Sequence, residues 1–212
     1  MYKGYAILQT MIQKVLLLEL YIVEKKSANQ IAQILQCSAT KVNYWLTKYS
    51  IPKRSISESV YIKSNPNGDP FKKSINNSST DWFLYGLGLG LFWGEGNKMN
   101  KNSVRLGNTD PGLIKFFLMF LRHCYQIDLE KLRFGLQVFS DVDPKIAKNF
   151  WVKELAVSKS QFQKVVVTQN RAVGTYRHKN KYGVLTIYFS NTKLRDTIVD
   201  AITELQNGKM PT

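Results

Sequence analysis

Cysteine and histidine are scarce in this chain of 212 residues, with two of each. Cys37 and Cys124 are too few for a disulfide scaffold and suit a reducing compartment such as the cytoplasm. With only His123 and His178 beside them, a zinc site is short of ligands. Acid is scarce as well: 15 Asp and Glu stand against 30 Lys and Arg, for a net charge of +15 and a pI near 9.8. That excess points to a polyanionic partner, either nucleic acid or an anionic membrane. Near the start of the chain, long hydrophobic runs are missing too. The run from Val15 to Val23 is interrupted by Glu19 and is too short to span a bilayer. It also lacks the flanks of a signal peptide, so no membrane partner is expected. No internal repeat is evident.

What the chain does have is an apolar content of 44%, enough for a real core in one large domain or two small ones. Residues 11–24 carry Leu, Ile and Val at helical spacing and predict a first helix. Ser27 caps a second, Ala28–Leu35, that buries Ile31, Ala32 and Leu35. Gln36-Cys37 makes a turn, and Ser38 caps a third helix to about Tyr49, with Val42, Trp45 and Leu46 inward. This spacing resembles the helix-turn-helix family over about fifty residues. Gln36 stands where that family usually has glycine. The resemblance implies that the outer side of the third helix, Thr40, Lys41, Asn43, Tyr44 and Lys48, enters a major groove, with Asn43 reading adenine edges and the lysines meeting phosphate. A three-helix packing module with a solvated polar face is the plainer reading. Arg54, in Ile51-Pro52-Lys53-Arg54-Ser55, is either an arm along the DNA or part of an exposed linker.

Residues 56–80 are rich in Ser and Asn, contain Pro66, Gly68 and Pro70, and read as a connector with little core of its own. The expected division is 1–63, a linker at 64–80, and 81–212. The second part opens with Asp81 to Lys98, DWFLYGLGLGLFWGEGNK. Gly86, Gly90 and Gly94 are four residues apart and fall on one face of a helix. Leu84, Leu87, Leu91 and Phe92 fall on the other sides. Each glycine costs a helix roughly 1 kcal/mol against alanine, so the stripe predicts a second backbone in close approach.

Downstream, the pattern predicts a strand at Ser103–Asn108 and a helix from Asp110-Pro111 through Tyr125, with Leu113, Phe116, Phe117 and Phe120 inward. A strand follows at Lys131–Phe139, then a helix from Asp143-Pro144 to about Ala156 that buries Ile146, Phe150 and Trp151. Strands at Phe162–Thr168 and Val184–Phe189, joined by a basic loop, precede a last helix at Thr192–Leu205. Helices and strands mix without regular alternation. The class is α+β.

Gly88-Leu89-Gly90-Leu91-Phe92-Trp93-Gly94-Glu95-Gly96 resembles the signature of the LAGLIDADG family of homing endonucleases and related DNA-binding proteins. The match lies in small Gly90 and Gly94, apolar Leu91 and Phe92, and the acid-glycine ending Glu95-Gly96. Gly88 replaces a usual leucine, Trp93 replaces the first acidic position, and the helix at 111–125 lies where many members have a plain hairpin. The likeness extends over 81–205 and implies a mixed helix and antiparallel-sheet domain. One signature per chain implies a homodimer packed through the 81–95 helix by Gly86, Gly90 and Gly94. It also implies that Glu95 holds a divalent cation, Mg²⁺, near the scissile phosphate of double-stranded DNA. Lys98 would assist by screening that phosphate or steadying the attacking water. A carboxylate at a helix C-terminus is electrostatically disfavoured unless a cation offsets it. The family implies a saddle whose sheet faces the duplex, and alternation then makes Arg105, Arg133 and Gln137 candidates for contact. Arg171, Arg177, Lys179 and Lys181, with Tyr176 and Tyr182, make the loop between the last two strands a basic, aromatic hairpin suited to phosphate. Three functions fit this resemblance: a Mg²⁺-dependent site-specific endonuclease, a non-catalytic DNA-binding transcription regulator, and an RNA maturase.

Overall fold

The computed structural model describes residues 11–76, 78–169 and 181–209. The chain divides into two compact units, Met1–Gly68 and Asp69–Thr212.

In the first unit, α1 (Lys14–Leu18) runs directly into a π-helical turn, Glu19–Val23, where a plain α-helix was expected. The wider turn lets adjacent Leu20 and Tyr21 join Leu17 in the core. Next come α2 (Ala28–Ile34) and α3 (Ala39–Lys48). Ser27 and Gln30 cap α2 reciprocally, and the Ser38 hydroxyl accepts from the Lys41 amide at 3.2 Å. Ile31, Ala32, Val42, Trp45 and Leu46 are buried, and Leu35 packs against them half-buried. Between α2 and α3 the Cys37 amide donates to the Ala32 carbonyl at 2.9 Å, and Gln36 sits at φ 49°. That is a Schellman closure in which glycine is favoured. Gln36→Gly is therefore expected to stabilise the unit by about 0.5–1 kcal/mol, read from the urea midpoint.

The stretch 56–80 is more structured than its composition suggests. Ser55 caps α4 (Ile56–Ser64), none of whose residues is buried. Residues 69–76 are no linker but part of the second unit. The Lys72 and Ser74 amides donate to the Tyr125 and Cys124 carbonyls at 2.9 and 2.8 Å, and Phe71 and Ile75 pack on the core. Those two apolar residues, four apart in a polar segment, anchor it.

The second unit is α+β. It contains α5 (Ser79–Glu95), β1 (Val104–Asn108), α6 (Pro111–Cys124), β2 (Leu132–Phe139), α7 (Pro144–Leu155), β3 (Val166–Thr168), β4 (Val184–Phe189) and α8 (Thr192–Gln206). The sheet order is β1-β4-β2-β3, with β4 antiparallel to both neighbours and β3 parallel to β2. The sheet is thus mixed rather than antiparallel. Because β2 lies between β3 and β4, those two strands do not pair as the expected hairpin. Phe162, expected to begin a strand, makes only an isolated bridge to Phe134.

Val104, Leu106, Leu132, Phe134, Leu136, Val138, Leu185, Ile187 and Phe189 share one core with residues of α5, α6, α7 and α8. Among the described residues the helices therefore cover one face of the sheet and leave the other open. In α7 the buried residues are Ala147, Trp151 and Leu155, while Phe150 is half-buried and Ile146 is 61% exposed, contrary to expectation. Trp151 sets that rotation: its indole N–H donates to the Tyr182 carbonyl at 2.9 Å, and Phe150 stacks on the Tyr182 ring at 3.6 Å.

Candidate nucleic-acid interface

On α3, Thr40, Tyr44 and Lys48 are exposed, and Lys41 and Asn43 are half-exposed. They form one outward strip because Val42, Trp45 and Leu46 hold the opposite side in the core. The Lys48 ammonium lies 4.7 Å from the Trp45 ring and 5.6 Å from the Tyr44 ring. That contact holds the charge against the helix.

Arg54 is not an arm. Its guanidinium lies 4.2 Å over the Tyr21 ring and donates to the Lys25 carbonyl at 2.7 Å and to the Lys26 carbonyl. Its backbone amide donates to the Tyr21 hydroxyl at 3.0 Å. The Lys25 and Lys26 carbonyls belong to the turn after the π-helical stretch, which ends at Val23, so Arg54 ties that turn to the chain that follows α3.

The open face of the sheet carries the most ordered array. Arg105 and Arg133 both pair with Tyr188 of the central strand, from opposite sides. Arg105, Tyr188 and Arg133 thus form a row across three strands, with the two arginine backbones about 10 Å apart. The next row is Gly107, Thr186 and Gly135. A Cβ at Gly135 would meet the Tyr188 ring at 2.7 Å, and one at Gly107 the Thr186 hydroxyl at 2.8 Å. The glycines let Tyr188 lie across the sheet and keep the second row low. Arg105 is held by the Ser103 hydroxyl, which accepts from its Nε at 2.7 Å, and by the Tyr188 ring at 5.1 Å. Arg133 donates to the Glu130 and Leu132 carbonyls at 2.5 and 2.8 Å. Gln137 donates to the Thr168 hydroxyl at 3.0 Å. No carboxylate lies in either row. Comparison of the chain with protein-family models, curated proteins and solved structures gives no match.

Helix α5 reaches this face at its C-terminus. Gly96 bridges Leu106, and the Asn97 amide donates to the Arg105 carbonyl at 2.9 Å, which stitches the helix end to the free edge of β1. Glu95 stands exposed at that junction. Lys98 donates to the Trp93 carbonyl at 2.5 Å, and its own carbonyl accepts from Arg195 at 2.5 Å. Its ammonium thus caps the negative end of α5. Among the described residues no group of three or more His, Cys, Asp or Glu gathers to hold a metal. Glu95 is a single carboxylate, which fits only a Mg²⁺ that draws its remaining ligands from water, phosphate or a second chain.

The glycine stripe faces outward. A Cβ added at Gly86, Gly90 or Gly94 would meet nothing within 4 Å. Around it Trp82, Phe83, Leu87 and Trp93 are 39%, 66%, 39% and 43% exposed. Leu87, expected on another side, borders the stripe. Gly88 has the opposite role: a Cβ there would lie 2.1 Å from the Phe120 side chain. The absence of a side chain at Gly88 is what allows α6 to lie against α5.

Arg171, Arg177 and Lys179, with Tyr176, lie outside the described residues. Lys181 is exposed, with its ammonium 5.6 Å from the Tyr182 ring.

Sequence reasoning did not single out Tyr188 and Thr186, whose pairing depends on long-range register, nor the pair Asp81–His123. The imidazole Nε2 lies 2.6 Å from the buried Asp81 carboxylate and ties the start of α5 to the end of α6. The His123 hydrogen bond and then that of Ser78 hold the Asp81 carboxyl below its ordinary range. A lowered folded-state pKa stabilises the protein above the unfolded value, near 3.9, and this contribution disappears as pH falls through the folded value. Asp81→Asn should therefore flatten the acid limb of a stability-against-pH curve below about pH 4. Nearby, burial and then the Asp81 charge push the Cys124 thiol up to about 11.

Proposed function

We propose that the chain is a duplex-DNA-binding protein that acts as a homodimer and hydrolyses phosphodiester bonds at a specific site with Mg²⁺. The open sheet face carries this reading. An aromatic flanked by two held arginines, beside a glycine-lined low row, presents cations and flat surface with no carboxylate in either row. On a chain of net charge +15, such a face suits the phosphate backbone. The α3 strip supplies further base-reading groups, and the resemblance to helix-turn-helix and LAGLIDADG proteins supports both surfaces.

Pairing of two α5 helices through Gly86, Gly90 and Gly94 fits the empty space over the stripe and the aromatic side chains around it. It would bring two Glu95 carboxylates together beside the sheet edge. Mg²⁺ bound there would neutralise phosphate charge and make bound water more acidic. Glu95 would supply one ligand, while Lys98, fixed on the Trp93 carbonyl, would hold positive charge next to the phosphate.

A non-catalytic regulator is the second reading. The single carboxylate per chain, and a Lys98 occupied in capping its own helix, favour it. Duplexes enriched from a randomised pool are incubated with the protein and Mg²⁺. Specific cuts that Glu95→Gln abolishes, with binding retained, support the nuclease. Tight binding without cuts, unchanged by that substitution, assigns the regulator. The two free thiols suit a reducing compartment such as the cytoplasm. Among the described residues no helix is long and apolar enough to cross a membrane.

A further inference from the structure

The second unit has a groove that the nucleic-acid surface does not use. Its volume is about 480 Å³, within the range of small-molecule sites. One wall is the face of α6 from Lys115 to His123, and the other is the end of α7, Glu154 to Ala156. On α6 the lining positions are spaced three and four apart, so they form one stripe. The groove follows that stripe for roughly 10 Å, the rise of two helical turns.

The groove exists because of how α7 ends. Ala156 takes the left-handed conformation at φ 52°, and the Val157 amide donates to the Val152 carbonyl at 3.2 Å. Closed there, α7 covers this face of α6 only in part. The floor is apolar: Leu118 and Leu155 belong to the core, and Met119 beside them is 47% exposed.

Charge is not even along the groove. The Lys115 ammonium lies 2.6 Å from the Glu154 carboxylate, which balances that part. At the far end the His123 Nε2 lies 2.6 Å from the buried Asp81 carboxylate. Both carboxylates near the groove are thus engaged. Arg122 is exposed and, among the described residues, forms no ion pair, hydrogen bond or ring contact. The dipole of α6 favours a cation in its last turn. That accounts for a basic residue at 122 but not for an apolar trough leading to it.

We infer that the groove binds a small carboxylate with an apolar tail. The carboxylate pairs with the Arg122 guanidinium, whose planar fork fits it with two parallel hydrogen bonds. The tail lies along Leu118, Met119 and Leu155. The inference stands independently of DNA binding.

The test uses the full-length chain with ¹³C-labelled methionine methyls, and octanoate as the probe. Met119→Leu assigns the Met119 resonance, which should shift saturably at roughly millimolar octanoate. Hexanoate should bind about fourfold more weakly, for two methylenes half-buried. Octylammonium, with the same tail and the opposite charge, should leave the resonance in place. Arg122→Gln should weaken octanoate binding about tenfold, and Arg122→Lys should restore most of it. Glu154→Gln removes a carboxylate from the wall and releases Lys115, so it should tighten binding about twofold to fivefold.

Arg122 and Glu154 lie outside the core, and urea midpoints check that each variant is folded. Absence of a shift in the folded chain overturns the inference. Equal shifts with octanoate and octylammonium, or octanoate binding that Arg122→Gln leaves unchanged, overturn it as well. A fall in duplex affinity in Arg122→Gln with no effect on octanoate assigns this arginine to DNA phosphates instead.

Discussion

Gly90→Leu is expected to make the folded chain more stable and the dimer much weaker. Inside the chain nothing lies within 4 Å of a Cβ at this position. Leucine there gains roughly the 0.8–1.0 kcal/mol that separates glycine from good helix formers. Between two helices packed on their glycines the same side chain is overpacking, at about 1–3 kcal/mol, and symmetry makes it act twice. Dimerisation should weaken roughly 30-fold or more, read by sedimentation, while the urea midpoint rises. Gly88→Ala should behave in the opposite way. Its methyl would lie 2.1 Å from Phe120, so the fold should lose about 1–3 kcal/mol. A destabilised Gly90→Leu chain with unchanged association would show that the stripe is not a contact between chains.

The second large effect is on DNA. Replacing Arg105 and Arg133 together by glutamine should lower affinity for a duplex about 100-fold. A dimer would lose four phosphate contacts, and even ~0.7 kcal/mol apiece, toward the low end for such bonds, amounts to that factor. The slope of log affinity against log salt should become shallower by about 0.9 per contact, or roughly 3 to 4 in all. Both arginines lie on the open face, away from the core, so stability should change little. Unchanged binding with an unchanged salt slope would remove the sheet from the interface.

How legible this was from the sequence depended on how local the determinant is. Ser27, Ser38, Asp110 and Asp143 cap helices within a few residues of themselves, and the structure has those helices there. Alternation in 132–138 placed Leu132, Phe134, Leu136 and Val138 in the core. The glycine stripe was visible as a pattern, yet only packing distinguishes exposed Gly90 from Gly88, enclosed by a helix about thirty residues away. Strand order escaped because the stretch between β3 and β4 gives no local sign that β2 intervenes. For the same reason the Arg105–Tyr188–Arg133 row needed the register of three strands. Arg54 carried the signal of a basic arm or an exposed linker, and only the carbonyls of Lys25 and Lys26 reveal that it clamps the turn after the first helical stretch. The π turn was hidden because Leu, Ile and Val satisfy either helical period.

The central claim is that a two-fold dimer of this chain reads duplex DNA. Selection of bound sites from a randomised duplex pool tests it most directly. The account predicts enrichment of a two-fold-symmetric sequence, bound with one dimer per site and with a steep dependence on salt. Retention that enriches no sequence, or enrichment of a single half-site bound by one chain, would contradict it.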